Sequence, residues 1–441
     1  MEPCDLVIEP RWIVPVEPVG QVLEGHALAL RGTRIQAIAP VATLRARFPR
    51  AARLRLDHHA LLPGLVDAHT HLAMDLLRGY ADDLPLAAWL SERIWPAESR
   101  WVNEDFVYDG TRLALAECIR GGVTCFNDMY FFPEITGRAA REAGLRGRVG
   151  LIVLDFPTVY ANDAAEYLDK AVAVHDTFRD DPLLGTAFAP HAPYTVSDEP
   201  LRRLATWQAE LDIPIHMHVN ETEQEVREHI ARHGERPLQR LDRLGLLGPH
   251  FQAVHMVVAA PEDRALLAER AAHAIHCPES NLKLASGISP VSALLEAGVN
   301  LALGTDGAAS NNDLDLFGEM RTAALLAKGI TGDATALPAA RILEAATLGG
   351  ARALGLEAEI GSLAPGKAAD LIAVDLDAAE TLPCYDVVGQ LVYAAGRHQV
   401  TDVWVAGRRL LEDRRTTTLD LPEILARARD WQDRIAEERS P

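Results

Sequence analysis

The feature that most constrains this chain is the run Leu61-Leu62-Pro63-Gly64-Leu65-Val66-Asp67-Ala68-His69-Thr70-His71-Leu72. An apolar stretch ends in two histidines two residues apart. In a β-strand residues i and i+2 lie on one face, so His69 and His71 can aim at one point. Neutral imidazole is the commonest protein ligand for zinc-like ions. Pro63-Gly64 marks the turn that feeds the strand. Two unrelated histidines would give the same pattern, so His-x-His alone is a weak signal. It gains weight because further His, Glu and Asp residues close later apolar runs.

Those later runs set the architecture. Strand candidates are Leu62–Asp67, Val123–Asp128, Arg148–Leu154, Leu184–Ala189, Ile213–Val219, Ala253–Val257, Ala274–Cys277 and Leu301–Thr305. Amphipathic helical segments such as Asp198–Glu210 and Thr222–His233 lie between several of them. This alternation, sustained over about 300 residues, predicts an α/β fold with a parallel (β/α)8 TIM-like barrel. We place the catalytic barrel at residues 61–360. Short glycine-bounded runs such as Asp5–Glu9, His26–Leu30, Asp370–Val374 and Val403–Gly407 fill the chain ends. Residues 1–60 plus 361–420 are expected to form one small composite β-sandwich domain, and residues 421–441 a C-terminal helix.

Barrels of this kind carry their chemistry at the C-terminal ends of the strands. His69, His71, His191, His218, His255 and Asp306 all fall at such ends, and Glu221 follows His218 by three residues. Each taken singly has a structural alternative, a buried histidine bonded to backbone or an aspartate capping a helix. Their coincidence at successive strand ends points to a site. Three imidazoles (His69, His71, His218) and one carboxylate (Asp306) leave room for a water on a Zn2+-like ion, the open geometry of a catalytic centre. One divalent ion is expected, because Val123–Asp128 carries no lysine that could be carboxylated to bridge two. Zn2+ leads, with Fe2+, Mn2+ and Ni2+ open, since such a donor set binds several ions. Cys277 reads as a small core residue.

Composition narrows the partners. With 43 Lys and Arg against 63 Asp and Glu, the formal net charge is −20, which disfavours nucleic acid. The five cysteines are scattered, with no C-x-x-C pair, as in reduced thiols of a cytoplasmic protein. No stretch reaches the ~18 apolar residues of a membrane span. The N-terminus lacks the basic and apolar regions of a signal peptide.

The pattern Pro-Gly-Leu-Val-Asp-Ala-His-Thr-His, then His218-x-x-Glu221, His255 and Gly304-Thr305-Asp306, resembles the amidohydrolase superfamily (metal-dependent, ATZ/TRZ-like). The closing Gly361-Ser362-Leu363-Ala364-Pro365-Gly366-Lys367-Ala368-Ala369-Asp370-Leu371 is also typical of it. Within it the chain is most similar to the 5′-methylthioadenosine/S-adenosylhomocysteine deaminases. The segments that carry this are Ile94–Glu98, Pro190–Tyr194, His276–Gly287 and Thr305–Asp315.

The resemblance implies metal ligation by His69, His71, His218 and Asp306. It implies that Asp306 takes a proton from a metal-activated water, that His255 holds that water or the developing oxyanion, and that Glu221 protonates N1 of adenine. The water attacks C6 and ammonia leaves. Glu98 is the expected ribose partner, since a carboxylate accepts from both the 2′- and 3′-hydroxyls, and His191 is expected to face the substrate. The implied substrate is a purine nucleoside; a homo-oligomer is left open.

Other residues read as structural. His216 is expected in the core or behind a ligand, and His58 and His59 on the surface. Ser280, Asn281 and Lys283 lack the glycine-rich loop of a phosphate site. Arg138, Arg141 and Arg148 are candidates to meet a homocysteine carboxylate. Two other readings stand: an aminohydrolase or chlorohydrolase of guanine, cytosine or triazine rings, and an inactive barrel acting as an interaction protein.

Overall fold

The strands that the hydrophobic runs encode collect into two sheets in the computed structural model, which describes residues 3–437. In chain order they are β1 (Leu6–Ile13), β2 (Leu23–Glu24), β3 (His26–Arg31), β4 (Arg34–Pro40), β5 (Ala52–Pro63), β6 (Leu65–Thr70), β7 (Val123–Asp128), β8 (Arg146–Val153), β9 (Leu184–Pro190), β10 (Ile215–Val219), β11 (Phe251–His255), β12 (His273–His276), β13 (Asn300–Leu303), β14 (Leu371–Asp375), β15 (Val400–Val405), β16 (Arg408–Glu412) and β17 (Arg415–Thr416). The strands β6 to β13 neighbour one another in sequence order. From β8 onward their pairings are parallel. A parallel bridge from Thr70 to Asp306 joins the two edges of this sheet into the expected barrel.

Every residue of β6, β7, β10, β11 and β12 is buried. Parallel strands covered on both faces lose the polar alternation of a half-exposed strand, so they read as near-continuous apolar runs. Some polar side chains among them are paired across the barrel. Asn127 Nδ2 donates to Gln252 Oε1 at 2.6 Å and to the Ala68 carbonyl at 3.0 Å, which avoids the cost of an unmade buried hydrogen bond.

The first barrel strand starts later than the sequence suggests. Leu62 and Pro63 belong to β5, where they pair antiparallel with Ile372 and Leu371. The strand β6 begins only after Gly64, at which a Cβ would sit 2.0 Å from Thr124 Oγ1, so the chain can pass there only without a side chain. The shift puts His69 inside the strand and His71 one residue beyond it.

The second sheet has nine strands drawn from both chain ends, in the order β17-β16-β15-β14-β5-β1-β3-β4 with β2 on β1. Pairing of β5 with β14 joins the two halves. Ile8, Ile13, Leu28, Leu61, Leu371 and Trp404 pack in its core. The chain divides into two compact units: residues up to 67, 117–125 and 315–418 in one, and 68–116, 126–314 and 419 onward in the other. In the second, a helix over Leu421–Glu437 is held by Asp109, whose Oδ2 accepts from Trp431 Nε1 at 2.9 Å and Arg427 Nη2 at 2.7 Å. The rest of the expected terminal helix, 438–441, lies outside the described residues. No helix among the described residues is long and apolar enough to cross a membrane.

Gly304 shows how tightly the barrel closes. A Cβ there would lie 2.8 Å from the backbone N, the carbonyl O and the Cβ of His69. Forcing atoms into a packed core costs about 1–3 kcal/mol. Gly304→Ala is therefore expected to lower the unfolding free energy by about that amount in urea titrations. An unchanged midpoint would show that the β6–β13 closure tolerates the extra carbon.

Candidate metal centre and substrate pocket

Strand register brings residues far apart in sequence to one end of the barrel. His218 is the fourth residue of β10, His255 the last of β11, and Asp306 follows β13 by three residues. His69 Nε2 lies 3.2 Å from His218 Nε2 and 3.4 Å from Asp306 Oδ1, and His71 Nε2 lies 3.1 Å from that same oxygen. Two overlapping sets, His69/His218/His255 and His69/His71/Asp306, each gather their ligand atoms within 4.8 Å.

The outward-facing nitrogens fix what the inward ones can be. His71 Nδ1 donates to the Met129 carbonyl at 2.5 Å, and His218 Nδ1 to the His191 carbonyl at 2.8 Å. A carbonyl only accepts, so each Nδ1 carries the hydrogen, and in the neutral ring Nε2 is a bare lone pair. His69 Nδ1 is 2.7 Å from Nε2 of the buried His216, which stands behind it as expected. Lone pairs aimed at one another beside a carboxylate repel unless a cation lies among them. Three imidazole nitrogens, one carboxylate oxygen and hydrogen-bonded outer nitrogens are the donor set of a Zn2+-like ion, so the residues present fit one.

Asp306 is held on both oxygens. Its Oδ2 accepts from Ser280 Oγ at 2.5 Å and Ser310 Oγ at 2.9 Å, and its Oδ1 from the Gly307 N–H at 2.8 Å. Burial alone would raise its pKa, but hydrogen bonds from His69 and His71 outweigh this and keep it well below the usual carboxylate range. Burial pushes His69 down to about 3 and His218 well below its ordinary value. His71 goes the other way: burial opposes its charge, yet the bond to Asp306 carries it up to about 9. A proton on His71 and a metal ion answer the same negative demand, so ion binding releases the proton.

Glu221 enters the pocket from the loop after β10. Glu225 accepts the N–H groups of Asn220 at 3.1 Å and Glu221 at 2.7 Å. Thr222 Oγ1 accepts the Glu225 N–H at 3.1 Å, closing a capping box on the helix Glu223–His233. Burial first, and then the charge of Asp306, pushes the Glu221 carboxyl up to about 8, so it holds its proton at neutral pH. His255 Nε2 is 3.9 Å from Glu221 Oε1, and its Nδ1 is bonded to Asn281 Oδ1 at 2.9 Å. Asn220, His255 and Asp306 have φ of 53°, 73° and 61°. Such left-handed backbone in non-glycine residues costs about 1–3 kcal/mol each and collects at functional sites.

These groups open into a cavity of about 210 Å3. His71, His218, Glu221, His255 and Asp306 form its floor, with His191 and Glu98 also in its lining. Burial pushes Glu98 up to about 7 and His191 down to about 4. A π-helical turn, Trp89–Ile94, leads into the helix that carries Glu98. Every sequence-expected site residue except His69 lines the cavity; His69 is buried behind it, its ring 4.9 Å centroid to centroid from that of His218.

The arginine candidates lie elsewhere. Arg138 stacks on Tyr108, Arg141 pairs with Asp181 at 2.8 Å, and Arg148 is the third residue of β8, near the strand's start; none lines the cavity. Cys277 is a buried core residue, as expected. His58 is exposed and His59 half-buried. Lys283 pairs with Asp82 at 2.7 Å. The sequence reading missed Ser280 and Asn281 as supports of Asp306 and His255. Their position just beyond the C-terminal end of β12 was the available signal.

Residues 60–410 match the model of the Amidohydrolase family. A 5-methylthioadenosine/S-adenosylhomocysteine deaminase of Saccharophagus degradans is 48% identical over 99% of this chain and 98% of its own length. One from Teredinibacter turnerae is 46% identical, again over 99% and 98%. The crystal structure of an adenosine deaminase from Xanthomonas campestris with bound Zn superposes with a TM-score of 0.97, at 54% identity and 99% coverage of both chains. Atrazine chlorohydrolase TrzN from Arthrobacter aurescens, complexed with zinc, is 22% identical with a TM-score of 0.90 over 97% and 99% of the two chains, a likeness of fold. Fold, strand-end histidines and full-length similarity agree: the chain belongs to the amidohydrolase family.

Proposed function

We propose that this protein hydrolytically removes the 6-amino group from the adenine ring of 5′-methylthioadenosine and related nucleosides such as S-adenosylhomocysteine, releasing the inosine-type product and ammonia. The observation that carries this reading is a buried carboxyl, Glu221, whose pKa burial pushes up to about 8, lining the same small cavity as His71, His218 and Asp306 of the donor set, with a second carboxyl, Glu98, also in its lining. Full-length similarity to two deaminases of that name supports it.

We assign His69, His71, His218 and Asp306 as ligands of one divalent ion, Zn2+ before Fe2+, Mn2+ or Ni2+, within a catalytic barrel set at 61–360. When bound, such an ion lowers the pKa of a coordinated water from 15.7 toward about 7, which supplies a nucleophile at neutral pH. Glu221 donates its proton to N1 of the ring, drawing electrons from C6. Asp306, ionised at neutral pH, takes the proton of the attacking water. The C6–O bond forms, the C6–N bond breaks, that proton leaves on the amine, and the water's second proton, lost from the C6 oxygen as the carbonyl forms, restores Glu221. His255, whose Nδ1 is committed to Asn281, presents Nε2 to the water or to the oxygen it becomes. Glu98 accepts from the ribose hydroxyls, and His191 packs against the substrate.

Purified, metal-loaded protein is expected to release ammonia from 5′-methylthioadenosine, with the accompanying adenine-to-hypoxanthine absorbance change. Turnover of triazine or guanine rings and of no nucleoside would move the substrate to the other reading. Glu221→Gln removes the proton at N1, and a positioned general acid contributes about 10²–10⁴-fold. That variant is expected to keep its metal and lose turnover by at least that range; a near-normal rate would remove Glu221 from the chemistry. Glu98→Ala is expected to raise KM for nucleosides roughly tenfold, the cost of about 1.4 kcal/mol, while sparing free-base analogues. Equal losses on both would count against ribose contact.

The ionisation pattern also sets a stability signature. His71 (about 9), Glu221 (about 8), Glu98 and Glu225 (both about 7) hold protons more tightly folded than at their ordinary values. The stability these groups add is complete below the unfolded pKa values and is lost as pH rises through the folded ones. His69 and His191, lowered to about 3 and about 4, and His216, His218, His255 and His276, also pushed down by burial, take up protons on unfolding near pH 6.5; they add a rising slope that is spent by about pH 7.5. Chelator-treated protein is therefore expected to show falling urea midpoints from about pH 7.5, where unfolded histidines are almost neutral, to about pH 9. Metal-loaded protein is expected to fall less, because its ligands bind deprotonated. A flat profile after chelation would contradict the assigned proton inventory.

A further inference from the structure

We propose that the mouth of this pocket selects nucleosides whose 5′ substituent is an uncharged thioether and works against a zwitterionic amino-acid tail. The inference rests on the adenine-deaminating reading above and concerns which member of that substrate class fits.

Polarity falls steeply from floor to mouth. The floor holds the histidines, Glu221 and Asp306, all with little or no exposure. Trp95 lies three residues before Glu98 on one helix, so it lies beside Glu98 one turn toward the N-terminus. With the ribose at Glu98, the group on C5′ meets Trp95 and the loop side chains Phe156 and Val159. Trp95, Phe156 and Val159 are 38%, 37% and 37% exposed although they line a pocket. The rings of Trp95 and Phe156 meet edge to face at 6.2 Å. Large apolar side chains left partly uncovered in a concave site mark apolar ligand surface. A thioether adds to this, because sulfur packs favourably against aromatic rings.

The carboxylate of a charged tail finds no Arg or Lys there: among the described residues, none lines this cavity. A larger adjoining cavity, about 940 Å3, shares Trp95, Tyr194 and Leu284 with it. Its described lining carries Glu223 and Glu228 against one arginine, Arg232, so a tail's ammonium finds partners there while its carboxylate meets a single cation between two acidic side chains. A carboxylate taken into such surroundings without a cation costs more than the contacts of its methylenes return.

The test compares kcat/KM for 5′-methylthioadenosine, its ethylthio homologue, adenosine and S-adenosylhomocysteine on metal-loaded protein. The two alkylthio nucleosides are expected to exceed S-adenosylhomocysteine by at least about tenfold, the scale on which one pocket mismatch discriminates. Val159→Arg is expected to narrow that gap by improving S-adenosylhomocysteine, and Trp95→Ala by weakening the alkylthio substrates. Equal or better turnover of S-adenosylhomocysteine would overturn the inference. If Arg232→Ala then removed that turnover selectively, the adjoining cavity would be where the tail sits. Failure of all four nucleosides would instead sink the deaminase reading itself.

Discussion

The structure depends on one electrostatic constraint: imidazole lone pairs and a carboxylate are held face to face at the open end of a barrel, where they repel without a cation. The surrounding protein is arranged to keep them there. Backbone carbonyls of Met129 and His191 take the outer hydrogens of His71 and His218, and His216 backs His69. Ser280, Ser310 and the Gly307 N–H hold Asp306. Left-handed backbone at Asn220, His255 and Asp306 aims three of the site's loops, and closed strand packing keeps them from relaxing.

Around that centre, burial sorts the titratable groups into two kinds. His69 and His218, which must present lone pairs, are pushed down, so they are neutral at working pH, while His71 is carried up by Asp306 and gives up its proton when an ion binds. The carboxyls of Glu221 and Glu98 are pushed up, Glu221 far enough to hold a proton at neutral pH. Asp306 escapes this rule because its histidine neighbours stabilise its charge more than burial destabilises it. One cavity thus holds a proton donor and an ionised acceptor side by side, which acid–base work on a ring nitrogen and a leaving amine requires.

Much of this was legible in the sequence. Strand alternation and the rule that barrels react at strand ends were enough to gather His69, His71, His218, His255 and Asp306 in advance. The barrel's own runs were readable because buried parallel strands are apolar throughout. What failed were features decided by three-dimensional neighbours. The start of β6 was set by the crossing of Gly64 over Thr124. Arg138 and Arg141 were taken up by Tyr108 and Asp181, and nothing local in the sequence shows that. Ser280 and Asn281 lie in a segment that carries the resemblance, but they were weighed only against phosphate binding, when they bond Asp306 and His255. The π-helical turn at Trp89–Ile94 and the apolar mouth have no period to read.

The central claim is the single-ion His3Asp centre, and X-ray absorption at the metal edge of purified, loaded protein tests it most directly. The account predicts about one ion per chain with a shell of nitrogen and oxygen donors only, near 2.0–2.2 Å. Sulfur in that shell at about 2.3 Å, which would bring in Cys277, or a metal–metal distance of about 3.5–4 Å from a second ion, would contradict it.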